Sequence, residues 1–491
     1  MPRSEERPEP IIIQGGMGVA VSDWRLAKAV SQAGQLGVVS GTAIETVLVR
    51  RLQQGDAEGH MRRALDAFPY PAMAKRIVER YFVEGGIAPG ASIATTRVIT
   101  DQPTREQLEL VVAANFVEIY LAKEDHSGVI GVNYLEKIQT PTLPSLFGAM
   151  LAGVDYVLMG AGIPKSIPGI LDRLQDGLEV ELPLHVEGAT DDDHFVARFN
   201  PMELCDNDIP WLNRPKFLAI VASATLASML RRKSTGQVDG FVIEGPTAGG
   251  HNAPPRGKAG LNERGEPIYG DRDDVDLNAI AKLGLPYWLA GSCGSPEGLR
   301  QALDAGAAGI QVGTAFAFCN ESGILDHLRH SVLADVLAGK VDVLTDPLAS
   351  PTGFPIKVLQ RDATMSDDML YAERNRVCDL GYLCHGYRKE DGSIGWRCPG
   401  EPAKAYVHKG GEQQETVGRK CICNGLLATV GLEQHRGGKA ELPLLTCGLD
   451  VANLGQFVQA AEHLDYSAAQ VIEHLLTGTP KPAPAAAESN S

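Results

Sequence analysis

His251 closes the segment Ile243-Glu244-Gly245-Pro246-Thr247-Ala248-Gly249-Gly250-His251. An imidazole exchanges a proton near neutral pH. The glycines before it, Gly249 and Gly250, let the backbone take positive φ and pass close to a ligand. A base or hydrogen-bond donor beside a bound substrate is the chemistry this pattern offers. Glu244, at the end of the same apolar run, is a second acid–base candidate, and a purely structural strand-end acid is an equal reading of it.

Two other turns have the composition of a phosphate cradle. They are Gly291-Ser292-Cys293-Gly294 and Gln311-Val312-Gly313-Thr314. Gly291, Ser292, Gly294, Gly313 and Thr314 leave backbone N–H groups unobstructed, and such groups hold a dianion well. Gln311 adds a carboxamide beside that loop. A third Gly-rich turn, Gln14-Gly15-Gly16-Met17-Gly18, follows the first apolar run. Asn133 ends another run, where its carboxamide offers both a donor and an acceptor; an asparagine there also caps turns. Cys293 reads as a small packing residue.

A separate cluster is built of sulfur. Cys378, Cys384, Cys398, Cys421 and Cys423 fall close together, with Cys447 after them and His385 and His408 among them. Thiolates in such numbers suit zinc or an iron–sulfur centre. The spacings are C-x5-C and C-x-C, with no C-x2-C, which favours buried free thiols. No metal ligand is assigned. The acidic run Asp191-Asp192-Asp193-His194 reads as a solvated loop.

The elements that position these residues are regular. Apolar strands are expected near 11–14, 36–40, 129–134, 155–160, 217–222, 240–245, 286–291 and 308–312. Helical patterns separate them, among them Asp23 to Ala33 with Ser22 as N-cap, Ser223 to Arg232, and Ser295 to Leu303 with an early proline. Alternation of this kind predicts a parallel sheet, and eight strands predict a (β/α)8 TIM barrel, α/β in class. A doubly wound sheet would show Gly-x-Gly-x-x-Gly after its first strand, and Gln14 to Gly18 does not supply it. The barrel is expected over residues 1–320. Residues 42–127 (helical over Glu58 to Phe82) and the stretch around Leu182 to Val186 are expected as insertions over its mouth. Residues 321–476 are expected as an α-rich, Cys-containing extension with a helix over Ser366 to Arg376, and 477–491 as a disordered Pro/Ala tail.

Taken together, Gln14 to Gly18, Gly131-Val132-Asn133, Ala248 to His251 and Gln311 to Phe316 resemble the nitronate monooxygenase family, formerly 2-nitropropane dioxygenases. That resemblance extends to the related flavin-dependent enoyl-acyl carrier protein reductases, including trans-acting ones, and covers about residues 10 to 320. It implies FMN, with Gln14, Gly15, Gly16, Met17 and Asn133 around the isoalloxazine and Gln311 at the phosphate-side loop or ribityl chain. It places His251 over the flavin. The family usually carries an acid before Ala-Gly-Gly-His; Thr247 stands here instead. The implied reaction is oxidation of alkyl nitronates with O2. An NAD(P)H-dependent enoyl reductase is the alternative, which the chain length favours, and a non-catalytic flavin scaffold is a third reading. Partners are then a small nitronate or an enoyl thioester, with an acyl carrier protein and a homodimer left open.

Composition narrows the class further. The chain has 491 residues, is 44% hydrophobic and carries a net charge of -16. That acidity argues against a nucleic-acid footprint, and no apolar run is long enough for a bilayer. Met1 to Pro10 lacks an apolar signal region, so a reducing cytoplasm is expected, with thiols rather than disulfides.

Overall fold

The computed structural model describes residues 8–257, 260–458 and 463–478. The expected tail beyond 478 lies outside the described residues. Eight parallel strands lie where the apolar runs predict them: β1 (Ile12–Gln14), β2 (Gly37–Ser40), β3 (Ile130–Leu135), β4 (Tyr156–Gly160), β5 (Lys216–Val221), β6 (Gly240–Glu244), β7 (Tyr287–Ala290) and β8 (Gly309–Val312). From β2 to β8 each strand pairs in parallel with the next, and β1 pairs with β8. Near-continuous Val, Ile and Leu runs suit strands covered on both faces.

The seam between β1 and β2 closes the barrel. Ile13 bridges Leu36, and the Gln14 N–H donates to the Leu36 carbonyl at 3.0 Å. The fully buried Gln14 side chain finishes the seam. Its Oε1 accepts the Val38 N–H at 2.9 Å, and its Nε2 donates to Ser22 Oγ at 2.8 Å and to the Val38 carbonyl at 3.2 Å. Replacing Gln14 by leucine keeps the volume and strands the Val38 N–H. The expected loss is about 1–3 kcal/mol of unfolding free energy, the cost of a buried unsatisfied donor. Urea denaturation measures it; an unchanged midpoint would remove Gln14 from the seam.

Inside the barrel, Ile13, Val38, Leu158, Leu218, Val242 and Trp288 form a dry core. Trp288 Nε1 donates to the Pro10 carbonyl at 2.7 Å and so ties down the N-terminal end. Helix α1 (Trp24–Gln32) is capped by Asp23, not Ser22. The Ser22 hydroxyl is already engaged, accepting the Met17 N–H and donating to the Gly15 carbonyl, each at 2.9 Å.

Residues 42–127 hold α2 (Ile44–Gln53), α3 (His60–Asp66), α4 (Pro71–Tyr81) and α5 (Arg105–Lys123). The single helix expected over Glu58 to Phe82 is broken, because α4 restarts with Pro71 in its first turn. α5 opens on a Thr104/Gln107 capping box and is buried on nearly every face. It packs against α1, α2 and the helix Thr142–Leu151, the ordinary flank position between β2 and β3. An all-round buried helix belongs between layers rather than over an opening. This stretch is therefore not the lid the sequence suggests; of it, only Thr42 and Ala43 reach the barrel mouth.

The mouth is roofed instead from beyond residue 321. That region holds more strand than its composition predicts. Val343–Asp346 and Ile356–Leu359 pair antiparallel, and Ile356–Leu359 also pairs with Gly250–His251. His385–Arg388 pairs with Ile394–Arg397 and, in parallel, with Val186–Glu187. The helix expected over Ser366 to Arg376 shrinks to Asp368–Glu373. The acidic run is anchored, Arg388 Nε reaching Asp193 Oδ2 at 2.8 Å. Near the end, Ala468–Thr477 packs against α1 and Pro296–Asp304. No helix of the described residues is long and apolar enough to cross a membrane.

Candidate active site

The C-terminal ends of the barrel strands open into one cavity of about 240 Å³. This is the end at which barrel enzymes place their chemistry. Gly15, Gly16 and Met17 line it after β1, Asn133 on β3, Glu244 on β6, Gly291 to Gly294 after β7, and Gln311 to Thr314 at the end of β8. Gly249, Gly250 and His251 complete the set. Gln14 is the exception among the expected site residues: its side chain is used up in the β1–β2 seam.

The first turn lies flat on the strand ends. A Cβ on Gly16 would come within 2.4 Å of Asn133 Cβ and 3.0 Å of Val38 Cγ1, so only glycine fits. Asn133 Nδ2 donates to the Gly16 carbonyl at 3.4 Å. Across the cavity, Gly291 and Ser292 take φ of 101° and 53°. No protein acceptor among the described residues takes the N–H groups of Ser292, Gly294, Gly313 or Thr314. Gln311 Oε1 is buried with no hydrogen-bond partner. Convergent unpaired amides and an orphan carboxamide oxygen fit a phosphate with a polyol beside it. Thr314 contributes its amide only, since its hydroxyl donates to Asp450 Oδ1 at 2.6 Å and accepts the Gly448 N–H at 3.0 Å. Burial raises the pKa of Asp450, which favours the neutral carboxyl beside an anion.

His251 is held by the extension. Gly250 takes φ of 74°, and the short strand Gly250–His251 pairs with Lys357 and Ile356. A Cβ on Gly249 would sit 2.7 Å from the Gly448 nitrogen. His251 Nε2 meets Ser350 Oγ at 2.6 Å, and that hydroxyl lies 2.8 Å from Thr352 Oγ1. Nδ1 is left for a ligand: a donor when Nε2 accepts from Ser350, an acceptor when Nε2 donates. Burial lowers the His251 pKa to about 4. The imidazole is therefore neutral at pH 7, contrary to the proton exchange near neutrality that its type suggests.

Glu244 is instead the group brought toward neutrality. Burial raises its carboxyl to about 7, against the opposing pull of the Lys357 ammonium. Burial in turn lowers Lys357 to about 8. Lys357 Nζ donates to the Pro246 carbonyl at 2.5 Å and to Asn252 Oδ1 at 2.6 Å, pinning both ends of the His251 loop. Lys357, Ser350 and Asp450 were not singled out from the sequence. A lone lysine inside Ile356-Lys357-Val358-Leu359 is the one signal among them, and it marks Lys357 alone.

The nitronate monooxygenase family model matches residues 207–347. The nitronate monooxygenase of Pseudomonas aeruginosa is 33% identical over 138 residues, 28% of this chain and 38% of that protein. A probable nitronate monooxygenase of Bacillus subtilis is 36% identical over 103 residues, 21% of this chain and 28% of that protein. The chain thus spans well under half the length of these curated relatives. FabK from Thermotoga maritima aligns over 96% of this chain and 92% of its own, at 16% identity and a TM-score of 0.45.

Proposed function

We infer that this chain, a relative of the nitronate monooxygenases through residues 207–347, is a flavin-dependent oxidoreductase that binds FMN and oxidises alkyl nitronates with O2. The observation that carries the reading is the cradle at the end of β7 and β8: unpaired amides, the orphan Gln311 oxygen and the glycine turns, all on one cavity. FMN, when bound, supplies the two-electron acceptor. Ser292, Gly294, Gly313 and Thr314 amides would hold its phosphate. The Gly15–Met17 turn and Asn133 would lie along its ring.

The chain's own side chains divide the remaining work. Glu244, as carboxylate, takes the α-proton of a neutral nitroalkane. A nitronate has already lost that proton and does not need it. His251 Nδ1 donates a hydrogen bond to a nitro oxygen and orients the substrate. Ser350 fixes the ring for that task, and Lys357 fixes the loop. The apolar lining from Ile356, Leu383, Ile422 and Leu426 limits water at the reacting carbon.

The purified protein is expected to be yellow and to release FMN, not FAD, on denaturation. Leucine at Gly313 should give colourless, folded protein. The Gly313 φ of -106° is open to any residue, and a Cβ there meets only Met17 at 3.6 Å, so a leucine side chain would fill the cradle. Release of FAD, or no flavin under any expression condition, would sink the cofactor assignment. Anaerobic mixing with nitronates, NADH and NADPH then sets the reaction. Bleaching by nitronates supports the reading; bleaching by NAD(P)H alone would replace it with an enoyl reductase.

A further inference from the structure

The sulfur cluster, unremarkable by spacing, is gathered by the fold. Three features of the extension meet at one point. Cys378 begins a turn that Gly381 closes with φ of 83°. The hairpin register pairs His385 with Arg397, which sets Cys384 and Cys398 side by side at its open end. Cys421 is the N-cap of the helix Ile422–Thr429, and Cys423 lies in its first turn. Cys378, Cys398, Cys421 and Cys423 line one small cavity, and no histidine or carboxylate joins them. Cys384 sits behind, its thiol against those of Cys378 and Cys398.

The surroundings suit bound thiolates. The N-terminal dipole of the helix Ile422–Thr429 favours a thiolate at Cys421, whose sulfur takes the Asn424 backbone N–H. Asn424 Nδ2 donates to Cys421 Sγ at 3.4 Å. Arg374 stands near Cys421 and Arg419 near Cys398, two cations against the negative charge a thiolate set would carry. All nine cysteines are free thiols.

We propose that Cys378, Cys398, Cys421 and Cys423, backed by Cys384, bind an iron–sulfur cluster in this cavity. Two observations favour a cluster over a single zinc ion. The first is the lining: four thiols, with no histidine or carboxylate, face one shared space, the all-sulfur donor set that iron–sulfur clusters use. The second is position. Ile422 and Cys423 line both this cavity and the main one, so a single layer of side chains separates them. A closed zinc site has no use for that neighbour; an electron-carrying group has.

The test uses the full chain, expressed and purified without oxygen from iron-supplemented cells. Iron, acid-labile sulfide and zinc are measured, and electron paramagnetic resonance spectra are taken before and after dithionite. Iron and sulfide in equal amounts, with a resonance outside the flavin radical region, are the expected result. Cys398→Ser and Cys421→Ser should each lose most of the iron. Cys205→Ser, placed away beside Tyr70, should keep it. Stoichiometric zinc, or metal-free protein with freely titrating thiols, would overturn the proposal, as would a folded Cys398→Ser that keeps full iron and sulfide. If a variant fails to fold, the wild-type iron, sulfide and resonance decide alone.

Discussion

His251→Ala is expected to retain FMN and to lose about 10²–10³-fold in kcat/KM for nitronates and neutral nitroalkanes alike. That is the usual worth of one preorganised donor at a reacting group. The reasoning starts from protonation. Burial holds the imidazole near a pKa of about 4, so above pH 5 it carries no charge to lose. What the alanine removes is the Nδ1 contact, set in place by Ser350 at 2.6 Å. Both substrates present a nitro group to that contact, so both should suffer. The flavin should stay, because backbone amides on the far side of the cavity hold it. The pH dependence of the remaining activity should match wild type, since His251 does not titrate between pH 6 and 9. Stopped-flow reduction of the two proteins by the same nitronate reads the effect directly. Near-normal rates in His251→Ala would leave His251 as a packing residue of the loop.

The barrel was legible in the sequence because its strands are the simplest signal a chain can carry. Runs such as Phe241-Val242-Ile243 are apolar on both faces and end in glycine, and tertiary packing had no reason to override them. The glycine turns were legible for the same reason: Gly16 and Gly249 have no room for a Cβ. What stayed hidden was long-range. Gln14 sits among glycines that do line the cavity, yet its carboxamide is consumed by Val38 and Ser22. Neither partner is adjacent in sequence, so composition cannot reveal them. The short strands of the extension were not legible. A four-residue strand such as His385–Arg388 has too few positions to show a period of two. Its pairing with Val186–Glu187 is fixed only in three dimensions.

The same long-range contacts move the proton affinities away from what residue type suggests. Histidine titrates near neutrality in water and glutamate well below it. Here the extension closes over both, and desolvation moves them in opposite directions because one is cationic and the other anionic when charged. His251 falls to about 4 and Glu244 rises to about 7. Ile356, which pairs with His251 from beyond residue 321, is part of that cover.

Glu244→Gln is expected to separate the two substrate classes. Turnover of neutral nitroalkanes should fall by about 10²–10⁴-fold, the usual worth of a positioned base. Oxidation of preformed nitronates should change only a few-fold, because no proton remains to be taken. The pH profile follows from the sign of the shift. A carboxyl raised to about 7 is protonated and inactive as a base below that value, and ionised above it. Wild-type kcat/KM for a nitroalkane should therefore rise with pH through about 7 and level off, and Glu244→Gln should lose that limb. Lys357, lowered to about 8, opposes the rise of Glu244 while it is charged. Lys357→Met should accordingly push the limb to higher pH, which a merely structural lysine would not do. The two groups interact, so the observed midpoints belong to the pair. Equal losses on nitronate and nitroalkane in Glu244→Gln, with the pH limb intact, would assign the proton to another group and leave Glu244 as a wall of the cavity.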